Sequence, residues 1–376
     1  MTTTFPSLFA SLDATVASGW CPGLVAGIRI DGVSAVHASG TIAFGSDTPM
    51  QPGTRFRIAS LGKPFGGALA AMLIADGTIA LDEPVSKWLP EMASLRVLAR
   101  PDADLSDTVA LQRPVTVRDL LIGTNGIGVM FEETPLAAAY WSSGAAAGPV
   151  PPQTDADTFM QRICALPLRA QPGQRWMYHT GCDLLSVLMV RATGRPLRHL
   201  LRARICEPLG MTGTSFQADC STLPTVYEPT DAGLVVDANV DPAFAQPPLF
   251  ETFSCGLVST APDLLAFFGA LLDPEFLRPD LREHMLTNQI DASISPGLEE
   301  LAGSGVGWGW QIAVDVTPIK PWHQVGRVGW SGGTGTSGAA YPASGNVGVI
   351  LTQRMMSGPD EDFGWFWNPF REAAEI

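Results

Sequence analysis

Apolar residues recur at helical spacing from the start of the chain: Phe5, Leu8, Phe9, Leu12 and Val16 share one face, and Gly19 follows where such a helix would stop. The pattern then changes period. Gly23–Ile30 and Val33–Gly40 are apolar-rich runs of strand length separated by Asp31-Gly32, a dipeptide suited to a two-residue turn, and together they predict an antiparallel hairpin. From about Ser60 to Leu272 the spacing is mostly helical, interrupted by long Gly- and Pro-rich connections such as Ser142 to Asp155. Strand character returns only near the end, over Val306–Val314, Val328–Tyr341 and Val347–Thr352, and an amphipathic segment from Asp360 to Ile376 predicts a closing helix.

Strands at both ends with helices between them predict an α+β fold: one antiparallel sheet formed from both chain termini and flanked by helices, with a mostly helical domain inserted between its strands. On this reading residues 1–57 and 295–376 form a discontinuous sheet domain and residues 58–294 the helical domain, with an active site between them. No internal repeat or low-complexity tract interrupts the pattern.

Composition narrows the function. With 37 acidic against 23 basic residues, a formal net charge of −14 and no Lys/Arg cluster, the chain would repel a phosphate backbone, so nucleic acid is excluded as a partner. The N-terminus lacks the basic and apolar regions of a secretory signal, and no run approaches the roughly 20 apolar residues needed to span a bilayer. A soluble, cytoplasmic protein without membrane association is expected. Cys21, Cys164, Cys182, Cys206, Cys220 and Cys255 show no metal-ligand spacing and read as buried thiols, so neither zinc nor a disulfide scaffold is expected.

The sharpest local feature is the stretch from Arg57 to Gly77. Ser60 stands where a helix N-cap belongs, a strongly helical Ala/Leu/Met run follows, and Pro64 is tolerable because it falls in the first turn. A spacing of three brings Lys63 one turn along, so that its amine can fold back onto the Ser60 hydroxyl. A lysine acts as base to a serine only if burial or neighbouring charge favours the neutral amine. By itself, the Ser-x-x-Lys spacing equally describes a capping serine followed by a solvated lysine.

The surrounding blocks resolve that ambiguity. Ser60-Leu-Gly-Lys63-Pro, Leu81 to Pro90, Val115 to Gly126, Pro172 to Thr180, Glu207 to Ser215, Gly256 to Asp263 and Trp330 to Thr336 follow one another along nearly the whole chain. In this order they resemble the serine β-lactamase and penicillin-binding superfamily, in particular its class C-like branch, which also holds carboxylesterases, D-aminopeptidases and acyltransferases. The resemblance implies a β-lactamase/transpeptidase-like fold, no cofactor and no metal. It makes Ser60 the acylated nucleophile, Lys63 and Tyr178 the proton relay, and the backbone N–H groups of Ser60 and Gly333 the oxyanion hole.

Two positions depart from the family pattern. Tyr178-His179-Thr180 replaces Tyr-x-Asn, so Thr180 takes the substrate-binding place of the asparagine. Trp330-Ser331-Gly332 replaces Lys- or His-Thr-Gly, which makes these three the substrate-binding residues of the third motif. The missing basic residue normally helps bind the carboxylate of a β-lactam or peptide, whereas tryptophan offers an apolar wall and one N–H donor. The expected substrate is therefore a small-molecule neutral ester.

Gly329-Trp-Ser331-Gly-Gly333 also matches the nucleophile elbow of α/β-hydrolases. That motif needs a helix straight after the serine and a histidine downstream, but His37, His179, His199, His284 and His323 all precede Ser331. The histidines carry no metal spacing and are read as structural or solvated; His179, beside Tyr178, is expected to border the pocket without a catalytic role. The expected activity is thus a serine carboxylesterase; the alternatives are an acyltransferase using the same acyl-enzyme, a β-lactamase or D-aminopeptidase, and a catalytically silent binding module.

Overall fold

Asp31 and Gly32 both take the left-handed conformation, with φ of 49° and 78°. This is the geometry of a two-residue turn whose twist matches the flanking strands. It joins β1 (Gly23–Ile30) to β2 (Val33–Gly40), with Ile30 opposite Val33. The structure, a computed structural model, describes residues 5–244, 246–358, 361 and 363–376. The first four residues and Asp360, from which the closing helix was expected to start, lie outside the described residues.

The strands of the C-terminal region are β3 (Val306–Trp308), β4 (Ala313–Asp315), β5 (Val328–Gly332), β6 (Thr336–Tyr341) and β7 (Asn346–Thr352). They complete one sheet in the order β2-β1-β7-β6-β5-β4-β3, with antiparallel pairing between neighbours. The α+β architecture with a sheet drawn from both termini is therefore the observed one. Two expected strands are corrected, since each folds as a hairpin. Val306–Val314 breaks at Gly309–Ile312, where Gln311 has φ of 59° and a Cβ on Gly309 would fall 2.0 Å from the Met285 carbonyl oxygen. Val328–Tyr341 turns back at Gly333–Gly335, where Gly335 has φ of 88°.

Every residue of β7 is buried because both faces of the sheet are covered. On one face α1 (Pro6–Ala17) and the closing helix α5 (Gly364–Ala374) enclose Leu8, Leu12, Ile28, Ile350, Trp367 and Phe370. Against the other lies α4 (Ala261–Leu272), whose Phe268 meets Gly338 of β6. The main core continues from there through α2 (Lys63–Ala75) and α3 (Thr180–Thr193).

α2 is apolar on nearly all sides, as suits a helix buried in a core. A glycine just before it and one within it allow two neighbours to approach closely. A Cβ on Gly62 would lie 2.8 Å from the Phe253 carbonyl oxygen, and one on Gly67 would lie 2.2 Å from that of Trp310. In an open helix Gly→Ala gains about 1 kcal/mol. Here the added methyl meets backbone, so Gly67→Ala is expected to destabilise the protein by about 1–3 kcal/mol in urea unfolding; a gain in stability would contradict this packing.

Candidate active site

Ser60 is not an N-cap. It lies within a 3₁₀ turn, Ala59–Gly62, that runs directly into α2, and its hydroxyl makes no capping bond. Instead the Lys63 Nζ, fully buried, donates to Ser60 Oγ at 2.9 Å. The same amine donates to the Ser254 carbonyl at 2.8 Å and approaches His179 Nδ1 at 3.4 Å. Ala59, immediately before the serine, has φ of 43°, which costs a non-glycine residue about 1–3 kcal/mol.

Tyr178 reaches Lys63 by its ring, whose centroid is 4.5 Å from Nζ, a cation–π distance. Its hydroxyl accepts a hydrogen bond of 2.7 Å from Trp330 Nε1. Trp176, Trp308 and Trp330 surround the tyrosine ring, with Trp308 edge-on to Trp330 at 4.8 Å. This box fixes the ring and leaves one polar atom facing the cavity. Ser60 and Lys63, three positions apart, are thus joined by Tyr178, more than 100 positions along the chain, whose ring lies against the lysine.

Threonine hydroxyls in the turn after β5 and at the start of β6 are bound to the two backbone carbonyls just before the serine's turn. Thr334 Oγ1 donates to the Arg57 carbonyl at 2.5 Å and Thr336 Oγ1 to that of Ile58 at 3.0 Å. A Cβ on Gly332 would fall 2.1 Å from the same Ile58 oxygen, so only glycine permits this approach. Gly333 and Ser60 consequently face one cavity of about 430 Å³, together with Trp330 and Ser331. Phe131, Val129, Pro149 and Leu301 make much of its wall apolar.

The remaining expected site residues lie differently. Thr180 is fully buried at the start of α3, with its hydroxyl 3.1 Å from that of Tyr140, and among the described residues it does not line the cavity. The Ser331 hydroxyl donates to Ser337 Oγ at 3.0 Å, which also accepts from Trp367 Nε1. Ser331 sits within a strand followed by a turn, not by the helix a nucleophile elbow requires.

Behind Lys63 lies a polar cluster that the sequence pattern did not bring out. Asp183 is buried on α3, one helical turn after His179, and its Oδ1 accepts from Ser254 Oγ at 2.5 Å and Thr252 Oγ1 at 2.7 Å. Its Oδ2 is 3.5 Å from His179 Nε2. The i, i+4 spacing of His179 and Asp183 was the available signal; Ser254 and Thr252 had none, since only the fold brings them there. Burial pushes the Asp183 carboxyl up to about 6, against the pull of the Ser254 and Thr252 hydroxyls and Lys63. Burial, reinforced by the Lys63 charge, holds His179 well below the usual histidine range. Among the described residues no cluster of His, Cys, Asp or Glu suits a metal ion.

The raised Asp183 value has a thermodynamic consequence. Because the folded chain holds this proton more tightly than the unfolded chain, its contribution to stability is fully present below pH about 4 and is lost as pH rises through about 6. Asp183→Asn removes that titration. Relative to the unsubstituted protein, the variant should gain stability between pH 4 and pH 7, by about 1–3 kcal/mol. Urea unfolding at several pH values checks this, and a difference that is flat or falls with pH would refute it.

A family model described as Beta-lactamase matches residues 8–367. The chain is 30% identical over 323 residues to Protein Rv1367c of Mycobacterium tuberculosis, covering 81% of this chain and 79% of that protein. It is also 30% identical over 337 residues to Esterase EstB of Burkholderia gladioli, covering 83% and 81%. Among solved structures, EstCE1, described as a hydrolase with promiscuous acyltransferase activity, superposes with a TM-score of 0.82 at 22% identity over 99% of both chains, a likeness in fold.

Proposed function

The chain belongs to the beta-lactamase family, and from that premise we propose that it is a serine ester hydrolase in which Ser60 carries the acyl group while Lys63 and Tyr178 move its proton. One observation carries the reading: a fully buried lysine amine stands 2.9 Å from the hydroxyl of a serine that opens onto a largely apolar cavity. The similarity to EstB, an esterase by name, supports the same reaction class.

In the proposed cycle Ser60 Oγ attacks the ester carbonyl carbon and its proton passes to the Lys63 amine. Negative charge gathers on the carbonyl oxygen, where the backbone N–H groups of Ser60 and Gly333 receive it. The C–O bond to the alcohol then breaks, and the alcohol leaves with the proton delivered by the Lys63–Tyr178 pair. Water attacks the acyl-enzyme with the same pair as base, releasing the acid and returning a proton to Ser60.

Trp330 shapes the substrate choice. It contributes an aromatic wall and commits its only N–H to the Tyr178 hydroxyl, so no cation at this position meets a substrate carboxylate. We therefore favour neutral small-molecule esters over β-lactams and D-amino acid peptides. Trp330 and Ser331 border the substrate, Gly332 brings their strand against the serine's turn, and Thr180 acts through Tyr140 rather than on substrate. The likeness to EstCE1 favours a second outcome of the same acyl-enzyme, transfer to an alcohol in place of water.

No helix among the described residues is long and apolar enough to cross a membrane. The buried thiols of Cys21, Cys182, Cys206 and Cys255 suit a reducing compartment, which supports the cytoplasm as the site of action.

Ser60→Ala should lower hydrolysis of p-nitrophenyl butyrate by at least about 10³-fold while the variant still folds, as checked by circular dichroism. Intact-protein mass spectrometry after a phosphonate inhibitor should find one adduct, mapped to Ser60 after digestion; an adduct on Ser331 would refute the assignment. Trp330→Phe keeps the wall but withdraws the N–H from Tyr178, and should lower kcat by about 10-fold with little change in KM. An unchanged kcat would remove Trp330 from the relay.

A further inference from the structure

Between Lys63 and Asp183 stands a histidine in a conformation that L-amino acids avoid. His179 has φ of 78° and ψ of −68°, and the Thr180 N–H donates to the Tyr178 carbonyl at 3.1 Å across it, closing a positive-φ γ-turn. Such turns are rare and strained, and strain of this kind persists where the surroundings require one particular placement. Here it turns the imidazole inward, to 7% exposure, and brings its two nitrogens to opposite neighbours.

We infer that His179 is a positioning residue that aims the Lys63 amine at Ser60, with Asp183 selecting the imidazole tautomer that makes this possible; the inference rests on the roles proposed above for Ser60 and Lys63. Asp183 Oδ1 is taken by two hydroxyl donors, and Oδ2 faces His179 Nε2. As a carboxylate it only accepts, so the ring proton sits on Nε2 and Nδ1 is left as an acceptor toward Lys63. A neutral lysine amine has two N–H groups and one lone pair. Once the amine has given up the proton it donates to Ser60 Oγ in this structure, the Ser254 carbonyl and His179 Nδ1 keep the other two N–H groups and the lone pair faces Ser60 Oγ. At 3.4 and 3.5 Å the two histidine contacts are long, as catalytic hydrogen bonds often are before substrate binds.

The titratable groups around the imidazole come from three elements: Lys63 on α2, Cys182 and Asp183 on α3 with Tyr178 just before it, and Cys255 on the segment that carries Ser254. Burial raises both thiols above the ordinary range, Cys255 to about 12, so neither titrates with the histidine. Protonated His179 would present Nδ1–H to the lysine and lose its acceptor role. Its depressed value keeps that from happening near neutrality.

The test uses the full-length protein, p-nitrophenyl butyrate kinetics from pH 5 to 9, and the rate of Ser60 phosphonylation. His179→Gly removes the imidazole while suiting the positive φ, so the variant should fold; kcat and the phosphonylation rate should fall about 10- to 100-fold with KM within threefold. His179→Asn, whose amide oxygen occupies roughly the place of Nδ1, should recover at least a third of kcat. Unchanged kcat in His179→Gly, or a folded His179→Asn as slow as the glycine variant, overturns the inference. Should His179→Gly fail to fold, His179→Asn decides alone: kcat below a tenth of the parent overturns the inference, and near-parental kcat with KM within threefold supports it. Labelling away from Ser60 in the parent protein would instead undo the underlying assignment.

Discussion

A lysine side chain without access to water must find acceptors for every N–H it carries, because a buried, unpaired ammonium costs several kcal/mol. Lys63 meets that constraint with the Ser60 hydroxyl, the Ser254 carbonyl, the His179 ring and the face of Tyr178. Each neighbour is held in turn by something else. Asp183 ties down the Ser254 hydroxyl, Trp330 the Tyr178 hydroxyl, and the threonines beside Gly333 the turn that bears Ser60. Removing water from one amine therefore organises contacts across the helical region and the sheet.

The same arrangement is costly. Ala59 and His179 hold positive φ, Asp183 titrates far above its ordinary value, and His179 far below. Unfavourable backbone conformations and desolvated charge are gathered around Lys63 and the proposed nucleophile it bonds. The surrounding core offsets them: α2 is buried on nearly every side, and β7 is covered on both faces. Stability supplied there allows a strained, dry site here, as expected where activity needs groups out of their preferred states.

The proposed substrate preference rests on a replacement with two effects. Tryptophan at position 330 places no positive charge there for a carboxylate and supplies the N–H that holds Tyr178. In the proposed mechanism one residue thus links specificity to the relay, and an indole suits both where phenylalanine would supply the wall but no donor.

Local patterns in the chain determined a good deal. Asp31-Gly32 forces a tight turn from two residues' own backbone preferences, the Ser60–Lys63 spacing lies within one turn of helix, and Pro64 marks where that helix starts. These depend on residues a few positions apart, so they are legible without a fold. What the tertiary structure decided depends on backbone approaching backbone. The breaks at Gly309–Ile312 and Gly333–Gly335 come from carbonyls of Met285 and Arg354 pressing on glycines far away in sequence. Thr180, expected beside substrate, is turned to Tyr140, while His179, expected to border the pocket without a catalytic role, is turned to Lys63 by a γ-turn that spacing cannot reveal. Ser254 reaches the lysine and Asp183 only because the segment carrying it packs against the first turn of α2, a contact set by core packing and recorded in no local motif.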